Sequence, residues 1–184
     1  MPTPINDIAH SFPFVEGWPV DISEPAEIFL QAWLKMRHGK MQPTKQDIEP
    51  AYIPKLLPMI WLYEYLPDED EFLCHLHGET IREAWGFSLR GKKTSEFIPT
   101  DLIDKLRNRW LRVIEGPAVM HSVMREREEA IRSAERLMTP IANETGQIRF
   151  VFGISLYADL GKDRDHFGPT TDLVRYYTLR DDLD

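Results

Sequence analysis

The sequence predicts an α+β domain in which helices cover one face of an antiparallel sheet. Three observations carry this. Residues 59–77 read as two β-favouring runs around an acidic turn. Segments with apolar residues at helical spacing precede and follow that hairpin, and three more β-favouring runs come after the second of them.

Taken in order, residues 1–20 hold four prolines and little periodicity. They predict an irregular arm, set at 1–22, whose Phe12, Phe14 and Trp18 are apolar enough to dock on the domain or on a second subunit. A leading helix follows. Asp21 or Ser23 can cap it, Pro25 suits its first turn, and Gly39 stands where a C-terminal stop belongs. Ile28, Phe29, Ala32, Trp33 and Met36 share one face. Such a stripe packs on its own domain or on a second copy.

Pro50, Pro54 and Pro58 recur every four residues and impose a stepped approach anchored by Ile53, Leu56 and Leu57. The hairpin comes next, with strands at 59–66 and 72–77 and the turn at 67–71. On it, Phe72, Cys74 and Leu76 are expected to face the core and His75 and His77 the opposite side. Residues 79–85 read as a short helix ended by Gly86, 87–93 as a Gly-punctuated loop and 94–97 as a further turn. Thr100 is expected to cap a longer helix with the stripe Leu102, Ile103, Leu106, Trp110, Val113 and Ile114, which Gly116-Pro117 ends. Strands are expected at 118–125, 134–142 and 147–157. The charged run 125–129 is a solvated connection and Asn143-Glu144-Thr145-Gly146 a turn. Residues 159–184 form a C-terminal extension, with 173–179 apolar enough to dock and 181–184 frayed.

Several of these segments together resemble a PAS sensory domain, and in particular compact stand-alone PAS proteins of alphaproteobacteria. They are Asp47-Ile48-Glu49-Pro50, Ile53-Pro54-Lys55-Leu56-Leu57-Pro58, residues 72–78, Glu135-Arg136-Leu137 and Thr139-Pro140-Ile141. The resemblance covers 29–157 and implies a five-stranded antiparallel sheet with helices on one face, within a PAS-like domain at 23–158. It implies sensing or signalling and supplies no catalytic motif. PAS domains often pair through a leading helix, which would give Phe29, Trp33 and Met36 to a homodimer interface. A cavity between sheet and helices would make Trp85 and Trp110 pocket walls.

Composition narrows the partners. With 42% hydrophobic and 28% charged residues the chain has a globular profile, and 184 residues suffice for one buried core. The formal net charge of −8 argues against nucleic acid, which needs a basic footprint. No basic amphipathic stretch suggests a membrane surface, and no apolar run approaches a membrane span. The first residues lack the pattern of a signal peptide. The single cysteine, Cys74, precludes an internal disulfide. A cytoplasmic location follows as the expectation.

Two motifs compete with the sensory reading. Residues 86–94, GFSLRGKKT, nearly spell a phosphate-binding loop, but Lys93 displaces the hydroxyl that should follow Lys92, and a short helix precedes where a strand is required. His75 and His77, two apart on a strand, share a face in a regular strand, and with Glu79 nearby they suggest a metal site. A cupin would need more, since the leading glycine and the second His-bearing motif are missing. His121 could join them only from a neighbouring strand. Cys74 reads either as a reactive thiol or as a small buried hydrophobe. The helical cysteine motif of flavin-binding PAS relatives and the helical histidine of haem-binding ones are not found, so the cofactor stays unassigned.

The aromatics Trp61, Trp85, Phe87 and Trp110 with Met120, Met124 and Met138 suit either a core or an apolar pocket. Trp85, Trp110, Cys74, Met120 and Met138 are the candidate ligand-binding residues. The expected function is a non-enzymatic PAS-like sensory module, without an output domain of its own, that binds a small apolar molecule, a partner protein or a second copy of itself. The alternatives are a small metal-dependent enzyme using His75 and His77, or a ligand-free interaction adaptor.

Overall fold

The computed structural model describes residues 14–15, 17–126, 133–157 and 170–179. Phe12, the charged residues 127–129 and the chain end 181–184 lie outside them. Among the described residues one sheet of seven strands forms: β1 (Phe14–Val15), β2 (Ile60–Leu66), β3 (Glu71–His77), β4 (Ala118–Glu126), β5 (Ser133–Ala142), β6 (Ile148–Tyr157) and β7 (Thr170–Thr178). Their spatial order is β1-β7-β4-β5-β6-β2-β3. The five expected strands are adjacent and antiparallel. The segment set apart as a C-terminal extension adds β7 antiparallel to β4, and the arm adds two residues parallel to β7.

Side chains alternate between two apolar layers. Ile60 and Leu62 of β2 join Leu137, Ile141, Phe150, Phe152 and Ile154 on one face, whereas Trp61 and Tyr63 join Met138 and Val151 on the other. A strand buried on both faces reads as a continuous apolar run, which is why 59–66 shows so little alternation.

The leading helix α1 (Glu24–Met36) covers the first face. Ser23 caps it, its hydroxyl accepting from the Ala26 N–H. Phe29, Trp33 and Met36 are 1%, 0% and 0% exposed against the chain's own sheet. Phe29 lies 5.0 Å from the Phe152 ring, and the Trp33 indole donates to the Pro140 carbonyl at 3.3 Å. The assignment of these three residues to a dimer interface is therefore corrected: their surface is covered within the chain. Only Ile28 of the stripe faces outward, at 43% exposure. Leu57 likewise is no anchor, at 38% exposure, whereas Ile53 and Leu56 are buried as expected.

Helices α2 (Glu79–Trp85) and α3 (Thr100–Glu115) cover the opposite face. Pro99 occupies the cap position of α3, and Thr100 is its first helical residue rather than a capping side chain. The acidic hairpin turn is tied down. Asp70 accepts from the Tyr65 hydroxyl and pairs with Arg107 of α3, and Glu69 pairs with Lys93. Among the described residues no helix is long and apolar enough to cross a membrane.

Candidate functional site

The site is built on the face that α2 and α3 cover. Strand register runs one row of side chains across the sheet, Tyr176, Met120, Met138, Gly153, Trp61 and His77, each opposite the next. Gly153 in the middle leaves a gap, and the Trp61 indole fills it. A Cβ at Gly153 would lie 2.4 Å and 2.5 Å from the Trp61 ring. The indole N–H donates to Ser155 Oγ at 2.9 Å, fixing the ring in its plane. From above, Trp110 of α3 stacks on Trp61 with centroids 5.4 Å apart and planes 10° from parallel. Trp110 also meets Tyr63 at 4.8 Å and Phe72 edge-on at 5.1 Å. A glycine inside an apolar strand often marks such a close approach, so Gly153 was the sequence signal for this stack.

Trp110, Trp85, Cys74, Met120 and Met138 all belong to this one cluster, with Leu89 and Tyr176 beside them. Trp85 meets Phe97 edge-on at 5.1 Å and Phe87 at 6.4 Å, forming a smaller aromatic group at the end of α2. The fold thus brings every candidate ligand-binding residue to one side of the sheet. Sequence reasoning missed Tyr176, because it lies on β7, and Leu89, because it lies in a loop.

Cys74 sits opposite Tyr63 on the same face. Burial pushes its thiol up to about 11, against a smaller lowering by its hydrogen bond with Tyr63. Burial likewise raises the Tyr63 phenol well above its ordinary range. A thiol with a raised pKa holds its proton until the pH climbs through that value, and the thiolate is the reactive form. The stabilising effect of the buried neutral thiol is therefore present below the ordinary thiol range and lost toward pH 11. In the folded protein, Cys74 is expected to resist a disulfide reagent at pH 8 and to react at once in denaturant; rapid reaction without denaturant would refute its burial.

The histidines do not share a face. Leu62 pairs with Leu76 and Tyr63 with Cys74, which leaves His75 as the extra residue of a β-bulge. A bulge resets the alternation of a strand. Leu76, expected beside Phe72 and Cys74, packs instead in the α1 layer. His75 lies over Phe150, also of that layer, with its Nε2 2.6 Å from Glu64. His77 returns to the α2/α3 side opposite Trp61. The expectation that both point away from the core on one side is corrected, and with it the two-histidine metal site.

Three strands separate His121 on β4 from β3, and it bonds to Glu135 at 3.0 Å. Burial acts to raise the Glu135 pKa, but hydrogen bonds from Ser23 and His121 outweigh it and hold the carboxyl below its ordinary value. Glu79 pairs with Arg82. Among the described residues no group of three or more His, Cys, Asp or Glu converges as metal ligands would. The near-phosphate loop is occupied as well, since Gly91 N–H donates to the Cys74 carbonyl and Cys74 N–H to that of Lys92. Its backbone pairs with β3 rather than encircling an anion.

A family model described as PAS domain matches residues 22–156, well over half of the chain. No curated protein matches it. Among solved structures, the chain is similar to one described as an RNA-binding Light-Oxygen-Voltage receptor, at 17% identity and a TM-score of 0.38. That similarity covers 62% of this chain and 35% of the receptor chain, so only about a third of the latter's length is spanned.

Proposed function

We propose, from the premise that this chain belongs to the PAS domain family, that its sensory and signalling role works through a small, largely apolar molecule held between the sheet and helices α2 and α3. One observation carries the reading. Trp85, Trp110, Cys74, Met120 and Met138, from five different elements, fall into a single cluster on that side. Ligand sites are mostly apolar with a few placed polar groups, and here Ser155 supplies a buried hydroxyl beside the Trp61–Trp110 stack. Methionine side chains adapt to more than one packing, which suits a surface that must accept and release a guest. The guest would act by shifting a conformational equilibrium of the module.

Native mass spectrometry of the purified protein tests this. The wild type is expected to carry an excess mass that denaturation releases. Trp110→Phe is expected to lose that mass while still unfolding cooperatively, at a cost of about 1–3 kcal/mol for the reshaped contact. No excess mass in the wild type, or the same mass retained by Trp110→Phe, would overturn the assignment.

A further inference from the structure

His77 makes a set of contacts that only one protonation state satisfies. Its Nε2 accepts the Leu89 backbone N–H at 3.1 Å and lies 3.0 Å from Ser88 Oγ. A ring nitrogen that accepts an N–H carries no proton, so in the neutral ring the proton is on Nδ1. Nδ1 lies 3.0 Å from the Gly78 carbonyl oxygen, which can only accept. Both contacts therefore specify the same tautomer, a neutral imidazole protonated on Nδ1.

We propose that His77 is a proton-operated latch that holds residues 87–90 over the aromatic layer and releases them when it becomes an imidazolium. The cation has two N–H donors and no acceptor. It would set an N–H against the Leu89 N–H at the distance where an acceptor now stands. Leu89 cannot give way alone, because its side chain is 1% exposed within the cluster of Cys74, Phe72 and Met120. Losing the latch thus draws a core side chain outward.

The segment is built to move as a unit. Gly86 and Gly91 flank it, both at positive φ of about 79° and 78°, where glycine adopts the left-handed region without strain. Beyond Gly91 the bonds between Gly91, Lys92 and Cys74 keep the loop attached to β3.

Charged groups around His77 set the balance. Glu79, two residues on in the first turn of α2, is itself paired with Arg82. Arg90 lies on the segment itself and Lys92 just beyond it. Trp61 on β2 and the Leu57–Met59 turn contribute no charge. A neutral His77 keeps the loop closed, and acid opens it. The consequence for a guest, an acid-opened edge beside β3, rests on the proposed ligand side; the release of the loop does not.

Amide exchange at Leu89 tests the latch without any ligand. Its protection, relative to an unstructured peptide at the same pH, is expected to fall about tenfold for the lost hydrogen bond. Measurements from about pH 8 down to about pH 5 bracket the window in which imidazoles in general change charge, and the fall should come on acidification. Protection at Met138 and Phe152 should hold. His77→Gln, whose Oε1 accepts the same N–H and does not titrate, should stay closed throughout, and Glu79→Gln should keep the response. Imidazole ¹⁵N shifts of the wild type at neutral pH should report the Nδ1–H tautomer, a reading that needs no variant. The opposite tautomer, unchanged Leu89 protection across the window, or a response that survives His77→Gln would each overturn the proposal. A failed ligand search would leave all three readouts intact.

Discussion

Trp33→Glu is expected to leave most of the chain unfolded rather than to yield a folded, separated subunit. Trp33 is 0% exposed, meets Trp18 edge-on at 6.4 Å, and lies under the Arg37 guanidinium at 5.8 Å. Removing a buried indole typically costs about 3–5 kcal/mol. Taking a carboxylate out of water in its place costs on the order of several kcal/mol more, and the Pro140 carbonyl loses its indole donor. The sum rivals the whole stability of an ordinary domain, about 5–15 kcal/mol. Far-ultraviolet circular dichroism and sedimentation decide the matter together. A cooperatively folded Trp33→Glu protein of unchanged stability would contradict the packing of α1. Ile28→Glu, on the outward side of the same helix, is the control and should change stability by less than about 0.5 kcal/mol.

Gly153→Ala is expected to disturb the site itself. The new methyl would meet the Trp61 ring at 2.4 Å and the Leu137 carbonyl at 2.8 Å. Neither is the far end of a flexible side chain, for the indole is held by Ser155 and stacked by Trp110. Overpacking of this kind costs about 1–3 kcal/mol, and rigid neighbours put Gly153→Ala at the upper end. Tryptophan fluorescence should change with it, because the stack is pushed from the sheet. Trp61→Leu removes the obstructing ring, so the double variant should recover a coupling of about 1 kcal/mol or more relative to the summed single changes. Strict additivity in chemical denaturation would show that the ring does not occupy the glycine's place.

Much of this was legible in the residues. The hairpin, α2 and the three later strands follow from local pattern, because alternation and turn chemistry act within a few residues. The side of the sheet that collects Trp110, Met120 and Met138 was legible too, once the PAS resemblance supplied the topology. Three features were not. The amphipathic stripe of α1 states that Phe29, Trp33 and Met36 are buried and is silent about what buries them. The bulge at His75 depends on one residue of register against β2, which no single strand encodes. β7 pairs with β4 across a separation of about fifty residues, and its alternation of Val174 and Tyr176 inward with Leu173 and Arg175 outward spans too few positions to stand out.

Under the proposed function the α2/α3 side, not the α1 side, accepts a guest. Methionine methyl NMR under xenon pressure tests it most directly, because xenon enters apolar cavities without needing polar partners. Met120 and Met138 lie in one layer, Met36 and Met41 in the other. Saturable shifts are expected at the Met120 and Met138 methyls, with Met36 and Met41 unmoved. Shifts confined to Met36 and Met41, or none at Met120 and Met138, would contradict that reading.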